Sequence, residues 1–288
     1  MGTLYLVATP IGNLEDITLR AVRVLREAHL IAAEDTRHTR TLLSHFGITT
    51  PTISYHEHSP PARRDALLVA LAAGDVALVS DAGTPTLSDP GQELVLAALA
   101  AGFRVVPLPG AAAAISALVA SGLPTDAFTF LGFLPRKTGE RRAVLERFRL
   151  VPETLVLYEA PHRLRATLAD LRALLGDRPM VAARELTKLH EEWLRGPISQ
   201  IEAHYAAGAT EPRGEYTLVV EGAAPDASRA AVGDEAVAPE QAARQRLRAL
   251  LAEGLGTREA AARTARELGL TRREAYQLAL RLAEEPVT

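Results

Sequence analysis

The 288-residue chain contains no cysteine. Disulfides, thiolate metal sites and a cysteine nucleophile are thereby excluded, and a reducing compartment is compatible with that. No uncharged apolar run reaches the roughly 18 residues needed to cross a bilayer. The first residues, MGTLYLVATPIGN, have neither a basic lead nor a long apolar stretch. A secreted or membrane-spanning protein is therefore not expected, and the chain reads as cytoplasmic. Lysine is almost missing too: it occurs only at Lys137 and Lys188 among 32 basic residues. The net charge of −3 excludes a bulk polycation. Any nucleic-acid contact must then come from local clusters rather than from totals.

What is present is ordinary globular material, 48% hydrophobic and 23% charged. At roughly 150 residues per domain, the length predicts about two domains. Through the first two thirds, apolar runs alternate with helix-like stretches. Strands are predicted at Leu4–Ala8, Leu30–Ala33, Asp75–Ser80 and Phe103–Val106. Helices are predicted near Leu19–Ala28, with Asp16 and Thr18 as capping candidates, near Thr39–Phe46, and at Gln92–Ala101. This is the βαβ rhythm of a mostly parallel sheet covered by helices. A second α/β segment follows, with strands expected at Phe128–Phe133, Thr154–Tyr158, Pro179–Ala183, Glu192–Leu194 and Glu215–Glu221. Helices fit near Glu140–Arg149, Arg163–Leu175 and Ile198–Ala206, and the break between the two segments falls near Pro109–Pro124.

The texture then changes. Residues 223–238 are small, polar and aperiodic, as in a linker. Helical patterns follow near Pro239–Glu253, Thr257–Leu268 and Thr271–Leu282. Gly269 reads as a stop and Thr271 with Glu274 as a capping box. Paired short helices of this kind resemble a helix-turn-helix, and a small packing or dimerisation module fits equally well. The expected division is thus an N-terminal α/β subdomain (1–110), a second α/β subdomain (111–222), a linker (223–238) and a helical module (239–288).

Three loops lie at the carboxyl ends of predicted strands, where open α/β sheets bind ligands. The first, Ala8-Thr9-Pro10-Ile11-Gly12-Asn13, is neither G-x-G-x-x-G nor a Walker A loop. The second, Ser80 to Gly91, packs turn-formers, hydroxyls and carboxylates into one stretch, which allows close backbone approach of a ligand. The third, Pro107-Leu108-Pro109-Gly110, runs into an alanine-rich helix start. There a flat ligand or close helix packing is equally well accommodated.

Seven segments in fixed order carry a resemblance: LYLVATPIGNLEDITLRA, AEDTRHTRTLL, LVSDAGTPTLSDPG, PLPGAAAAISAL, FLGFLP, LYEAPHR and AARELTKLHEEWLRG. Together they resemble the ribosomal RNA small subunit 2′-O-methyltransferase I family, within the tetrapyrrole-methylase-like (class III) S-adenosylmethionine methyltransferases. The resemblance spans roughly residues 3–221, and the last stretch is similar to that family's helix-turn-helix extension. It implies two α/β subdomains of the class III fold with S-adenosylmethionine in the cleft between them. It also implies 2′-O-methylation of a cytidine ribose in the decoding region of 16S rRNA in the small ribosomal subunit, and a homodimer.

Carried over position by position, the resemblance implies cofactor contacts at Pro10 and Ile11, and at Asp81, Ala82, Gly83, Thr84 and Leu87. Further contacts are implied at Ala112 and Ala113, at Tyr158 and Glu159, and at Glu185, Leu186 and Tyr216. Thr84 stands where the wider superfamily has an aspartate, so a charged acceptor is lost and Asp81 is the candidate to compensate. A ribose hydroxyl is a poor nucleophile while protonated, which calls for a base. Glu34, Asp35, Glu159 and His162 are the candidates, with helix capping as the competing role for Glu34 or Asp35. Phosphate contacts favour arginine. Residues 136–149 hold six basic and two acidic residues, nominating Arg136, Lys137, Arg141 and Arg142, with Arg37, Arg40, Arg163 and Lys188 near the cleft. His56-Glu57-His58 would share a strand face but lacks a third ligand, and no metal is expected. Two other functions stay in competition: a class III methyltransferase acting on a tetrapyrrole or a protein, and a nucleic-acid-binding regulator working through the helix-turn-helix.

Overall fold

The computed structural model describes residues 2–206, 210–224, 243–251, 255–268 and 270–284. They group into two compact units, one of residues 1–149 with 153–222 and one of residues 150–152 with 223–288.

The first sheet of the larger unit contains β1 (Thr3–Val7), β2 (Leu30–Ala33), β3 (Thr52–Ser54), β4 (Val76–Val79) and β5 (Arg104–Leu108). Its order is β3-β2-β4-β1-β5 and every pairing is parallel. Both faces are buried, which explains the unbroken apolar runs. The period of two sorts each strand. Val7, Ile31, Ala33, Ala77 and Val79 pack under α1 (Leu19–Glu27) and α2 (Thr36–His45), against Ala21, Val24, Leu25 and Leu43. Leu4, Ala32, Val76 and Leu78 face the other way, against Leu67 and Leu71 of α3 (Pro61–Ala73) and Leu94 and Ala98 of α4 (Gln92–Ala100). Each fully buried leucine contributes roughly 1.5–3 kcal/mol. Thr18 caps α1 by accepting from the Ala21 N–H at 3.0 Å.

After α5 (Ala113–Ser121) comes the second sheet, with β6 (Phe128–Phe133), β7 (Thr154–Glu159), β8 (Pro179–Arg184), β9 (Glu192–Pro197) and β10 (Tyr216–Val220). The helices α6 (Thr138–Glu146), α7 (Leu164–Leu175) and α8 (Ile198–His204) lie between its strands in sequence. The order is β6-β7-β10-β8-β9; β6 and β7 run parallel, and the remaining pairs are antiparallel. Ala114, Ala117 and Leu118 of α5 pack on Val156, Val181, Ala183 and Val219. β3 and α3 had no counterpart among the predicted elements.

In the smaller unit, a helix α9 over 243–251 joins α10 (Thr257–Leu268) and α11 (Arg272–Glu284). Leu247, Leu250, Ala261, Ala265, Ala275 and Ala279 form its core. The capping box forms as read: Thr271 N–H donates to Glu274 Oε2 at 2.9 Å, and Glu274 N–H donates to Thr271 Oγ1 at 3.3 Å. Most of the expected linker, from residue 225 on, lies outside the described residues, as do Pro239 and Gly269.

Candidate active site

Within the larger unit, a cavity of about 560 Å³ opens where the loops after β1, β4 and β5 meet β7, the loop after β8 and β10. That volume suits a nucleoside-sized ligand. The walls come from both sheets, and small residues let the backbone itself form much of them: Ala82, Gly83, Ala112 and Ala113.

The loops are tied to each other before any ligand arrives. Thr9 and Gly83 exchange backbone hydrogen bonds at 2.9 and 3.0 Å, joining the loops after β1 and β4. Thr84 Oγ1 donates to the Ala111 carbonyl at 3.1 Å, joining the loops after β4 and β5. A side chain at Gly12 would run into Lys188, with its Cβ only 2.3 Å from that residue's Cγ. Among the described residues, four other than glycine adopt positive φ, Thr86 and Ser88 on one loop and Glu185 and Thr187 on another. Such backbone is uncommon for side-chain-bearing residues and clusters at functional sites. Gly91 closes the first of these loops at φ 129°, where a Cβ would sit 2.6 Å from Leu78 Cδ2.

Of the positions expected to touch a cofactor, Ile11, Asp81, Ala82, Gly83, Thr84, Leu87, Ala112, Ala113, Tyr158, Glu159, Leu186 and Tyr216 line this cavity. Pro10 and Glu185 do not; each stands one residue before a lining position, Ile11 and Leu186. Glu185 instead accepts from Lys188 Nζ and from the Glu215 N–H, both at 2.9 Å, bracing the rim. Tyr158 sits edge-on to Phe130 and tilted against Phe133, and its hydroxyl accepts from the Ala114 N–H at 3.2 Å. Burial raises the Tyr158 hydroxyl above its usual range, with that N–H opposing and the Asp89 charge adding.

The four base candidates separate. Asp35 caps α2, accepting from the Arg37 N–H at 2.8 Å, and its ion pair with Arg37 occupies it further. Hydrogen bonds from the Arg37 side chain and backbone hold its carboxyl far below the usual range. Glu159 is buried and accepts from Thr167 Oγ1 and the Ala160 N–H, with Arg163 at 3.3 Å. It anchors the turn into α7 rather than offering a free oxygen, a correction to the expected catalytic role. His162 lies exposed on the cavity wall. Glu34 lines the cavity, and its Oε2 accepts from the Asp81 N–H at 3.3 Å. Burial raises its carboxyl, with that N–H opposing.

Asp89 is a site residue that the sequence does not mark, although it lies on the second of the three candidate loops. It lines the cavity half-buried beside Glu34 and Asp81. Burial pushes its carboxyl up to about 6, Ser80 opposing and the charges of Glu34 and Asp81 adding. In sequence it is one more turn-former before a proline. Ser88, Phe133 and Thr217 also line the cavity and were not anticipated.

Among the expected RNA contacts, Arg141 must be withdrawn. It is 4% exposed and pairs with buried Asp170 at 2.5 Å. Its guanidinium reaches the core of the fold because Asp170 on α7 supplies a counter-charge that a reading of residues 136–149 alone does not show. Arg163 is likewise drawn inward, donating to the Leu134 carbonyl at 2.6 Å. Lys188 bridges Glu185 and Glu215. Arg37, Arg40, Arg136, Lys137 and Arg142 remain exposed, although Arg142 also pairs with Asp170 at 2.7 Å. His56 and His58 do not share a strand face: they lie in the turn beyond β3, where the His58 N–H donates to His56 Nδ1 at 3.2 Å. Among the described residues, no group of three potential ligands could hold a metal, and no helix is long and apolar enough to cross a membrane.

A family model for tetrapyrrole (corrin/porphyrin) methylases matches residues 3–202. The chain is 51% identical to the ribosomal RNA small subunit methyltransferase I of Synechocystis, over 98% of this chain and 99% of that protein. It is 48% identical to the protein of that name from Pseudomonas aeruginosa, over 97% of each. Among solved structures, it is similar to uroporphyrin-III C-methyl transferase from Thermus thermophilus complexed with S-adenosyl homocysteine. That likeness has 25% identity and a TM-score of 0.54, over 76% of this chain and 97% of the other. A diphthine synthase shares the fold at 15% identity with a TM-score of 0.58, over 77% of this chain and 90% of the other.

Proposed function

Because the chain belongs to the ribosomal RNA small subunit methyltransferase I family, itself within the tetrapyrrole methylases, we propose a specific reaction for it. It methylates the 2′-oxygen of a cytidine ribose in the decoding region of 16S rRNA, using S-adenosylmethionine. The observation that carries this reading is the relationship over nearly the whole chain, the helical module included. A tetrapyrrole or protein acceptor is supported only by more distant fold likeness.

The cavity fits the cofactor. Its volume is adequate, small residues at Ala82, Gly83, Ala112 and Ala113 leave room for a flat nucleoside, and Asp81 on the wall would be the acceptor in place of Thr84. When bound, S-adenosylmethionine supplies an electrophilic methyl group on a positively charged sulfur. The chain's own contribution is position. The tied loops fix the angle at which a hydroxyl can approach, and orientation of this kind is a large part of rate acceleration in bimolecular transfer. Of the exposed candidates, Arg37, Lys137 and Arg142 are paired with Asp35, Glu140 and Asp170, which leaves Arg40 and Arg136 as the first cations to hold phosphates. The reading also divides the larger unit into subdomains at 1–110 and 111–222, and has the enzyme working as a homodimer on the small ribosomal subunit in the cytoplasm.

The test is methyl transfer from radiolabelled S-adenosylmethionine to small subunits from cells lacking the enzyme, alongside free 16S rRNA. Label recovered in an alkali-resistant dinucleotide is the expected result, because a 2′-O-methyl group blocks cleavage at that linkage. Transfer to a tetrapyrrole with none to RNA would overturn the reading.

A further inference from the structure

Resting on that functional reading, we propose that Asp89 is the catalytic residue that takes the proton from the attacking ribose hydroxyl.

Five carboxylates line the cavity: Glu34, Asp81, Asp89, Glu159 and Glu215. Four have fixed partners. Asp81 Oδ1 accepts from the Asp35 N–H at 3.0 Å, and Glu34 accepts from the Asp81 N–H. Glu159 is held by Thr167, Ala160 and Arg163, and Glu215 is paired with Lys188. Asp89 differs: among the described residues no backbone N–H and no cation engages it, and the nearby Ser80 hydroxyl, which leans on the Ala82 and Gly83 carbonyls, is the one group that opposes the rise of its carboxyl. A carboxylate without a cation or backbone donor keeps its basicity.

Its surroundings raise that basicity further. Glu34 after β2, Asp81 on the same loop and Tyr158 on β7 bear on Asp89, and none of them carries a positive charge. Lys188 and His162 line the cavity as well, with Lys188 held by its two glutamates. Burial and like charge together bring Asp89 to about 6, so near neutral pH it is ionised yet still a competent acceptor. Its position is also fixed, between positive-φ Ser88 and Gly91.

The step balances simply. A lone pair of the 2′-oxygen forms the bond to the methyl carbon as the carbon–sulfur bond breaks, its electron pair staying on sulfur. The hydroxyl proton passes to an Asp89 oxygen and leaves later to solvent.

The experiment uses the full chain as wild type, Asp89→Asn and Asp89→Glu. Single-turnover methyl transfer to small subunits is followed across about pH 5 to 9, and S-adenosylhomocysteine affinity is measured by calorimetry. Carboxyl ¹³C NMR of the ligand-free proteins follows the titration directly. We expect Asp89→Asn to lose on the order of 100-fold in rate while homocysteine-product affinity holds. The acidic limb near pH 6 should vanish with it, together with one carboxyl titrating there. Asp89→Glu should restore part of the rate. An active wild type with an equally active Asp89→Asn would overturn the base role alone. A loss of product affinity matching the loss of rate would make Asp89 a binding contact instead. Wild-type protein that leaves small subunits unmethylated would remove the functional reading and the base role together.

Discussion

The two sides of the cavity treat the same chemical group in opposite ways. On the side built from the first sheet, Glu34, Asp81 and Asp89 form no ion pair among the described residues, and only His56, beyond ion-pair distance, acts on Glu34. On the side built from the second sheet, Glu159 pairs with Arg163, and Glu185 at the rim and Glu215 pair with Lys188. A carboxylate with a cation beside it is neutralised and serves to hold loops in place. One without a cation projects negative potential into the space where a positively charged sulfonium would sit. The difference teaches that an acidic residue's role at this site is set by its partner rather than by its position on the wall.

The comparison can be broken first at Glu159. Glu159→Gln leaves half-buried Arg163 without its counter-charge, and removing one member of a largely buried pair costs about 3 kcal/mol. Denaturant unfolding should register that loss; an unchanged midpoint would mean the glutamate is not scaffolding. Lys188→Met comes next. It strips two glutamates of their cation at a partly exposed site, so a loss of about 1 kcal/mol or less is expected. That loss should shrink with added salt, as measured by unfolding at low and high ionic strength. The smallest effect belongs to Glu34→Gln. Glu34's charge raises Asp89, so its removal lowers the Asp89 carboxyl, and the acidic limb of the rate profile moves to lower pH by a fraction of a unit. A limb that stays in place would show the two carboxylates uncoupled.

Much of this was legible in the chain. The first sheet announces itself because a parallel strand buried on both faces must be apolar throughout, as Val76–Val79 is. Thr18 and Thr271 signal helix starts through hydroxyls whose only useful partners are nearby N–H groups. β3 escaped because three half-buried residues carry no periodicity. α3 escaped because its alanines blur the apolar stripe. The antiparallel order of the second sheet depends on which strands meet in space, and nothing local records that. The site was legible as loops and small residues, which are local properties. Arg141 and Asp89 were misjudged or missed for a common reason. Each is defined by what the fold packs around it: Asp170 for the first, burial with the charges of Glu34 and Asp81 for the second.

The positive-φ residues Thr86, Ser88, Glu185 and Thr187 have a consequence for how tightly a ligand is gripped. Each holds roughly 1–3 kcal/mol of conformational strain, supported by the rest of the fold. The two loops that carry them, and with them the wall positions Leu87, Ser88 and Leu186, are therefore moulded during folding, and an arriving nucleoside loses little of its affinity to ordering them. Glycine at any of these four positions would relieve the fold and slacken the grip.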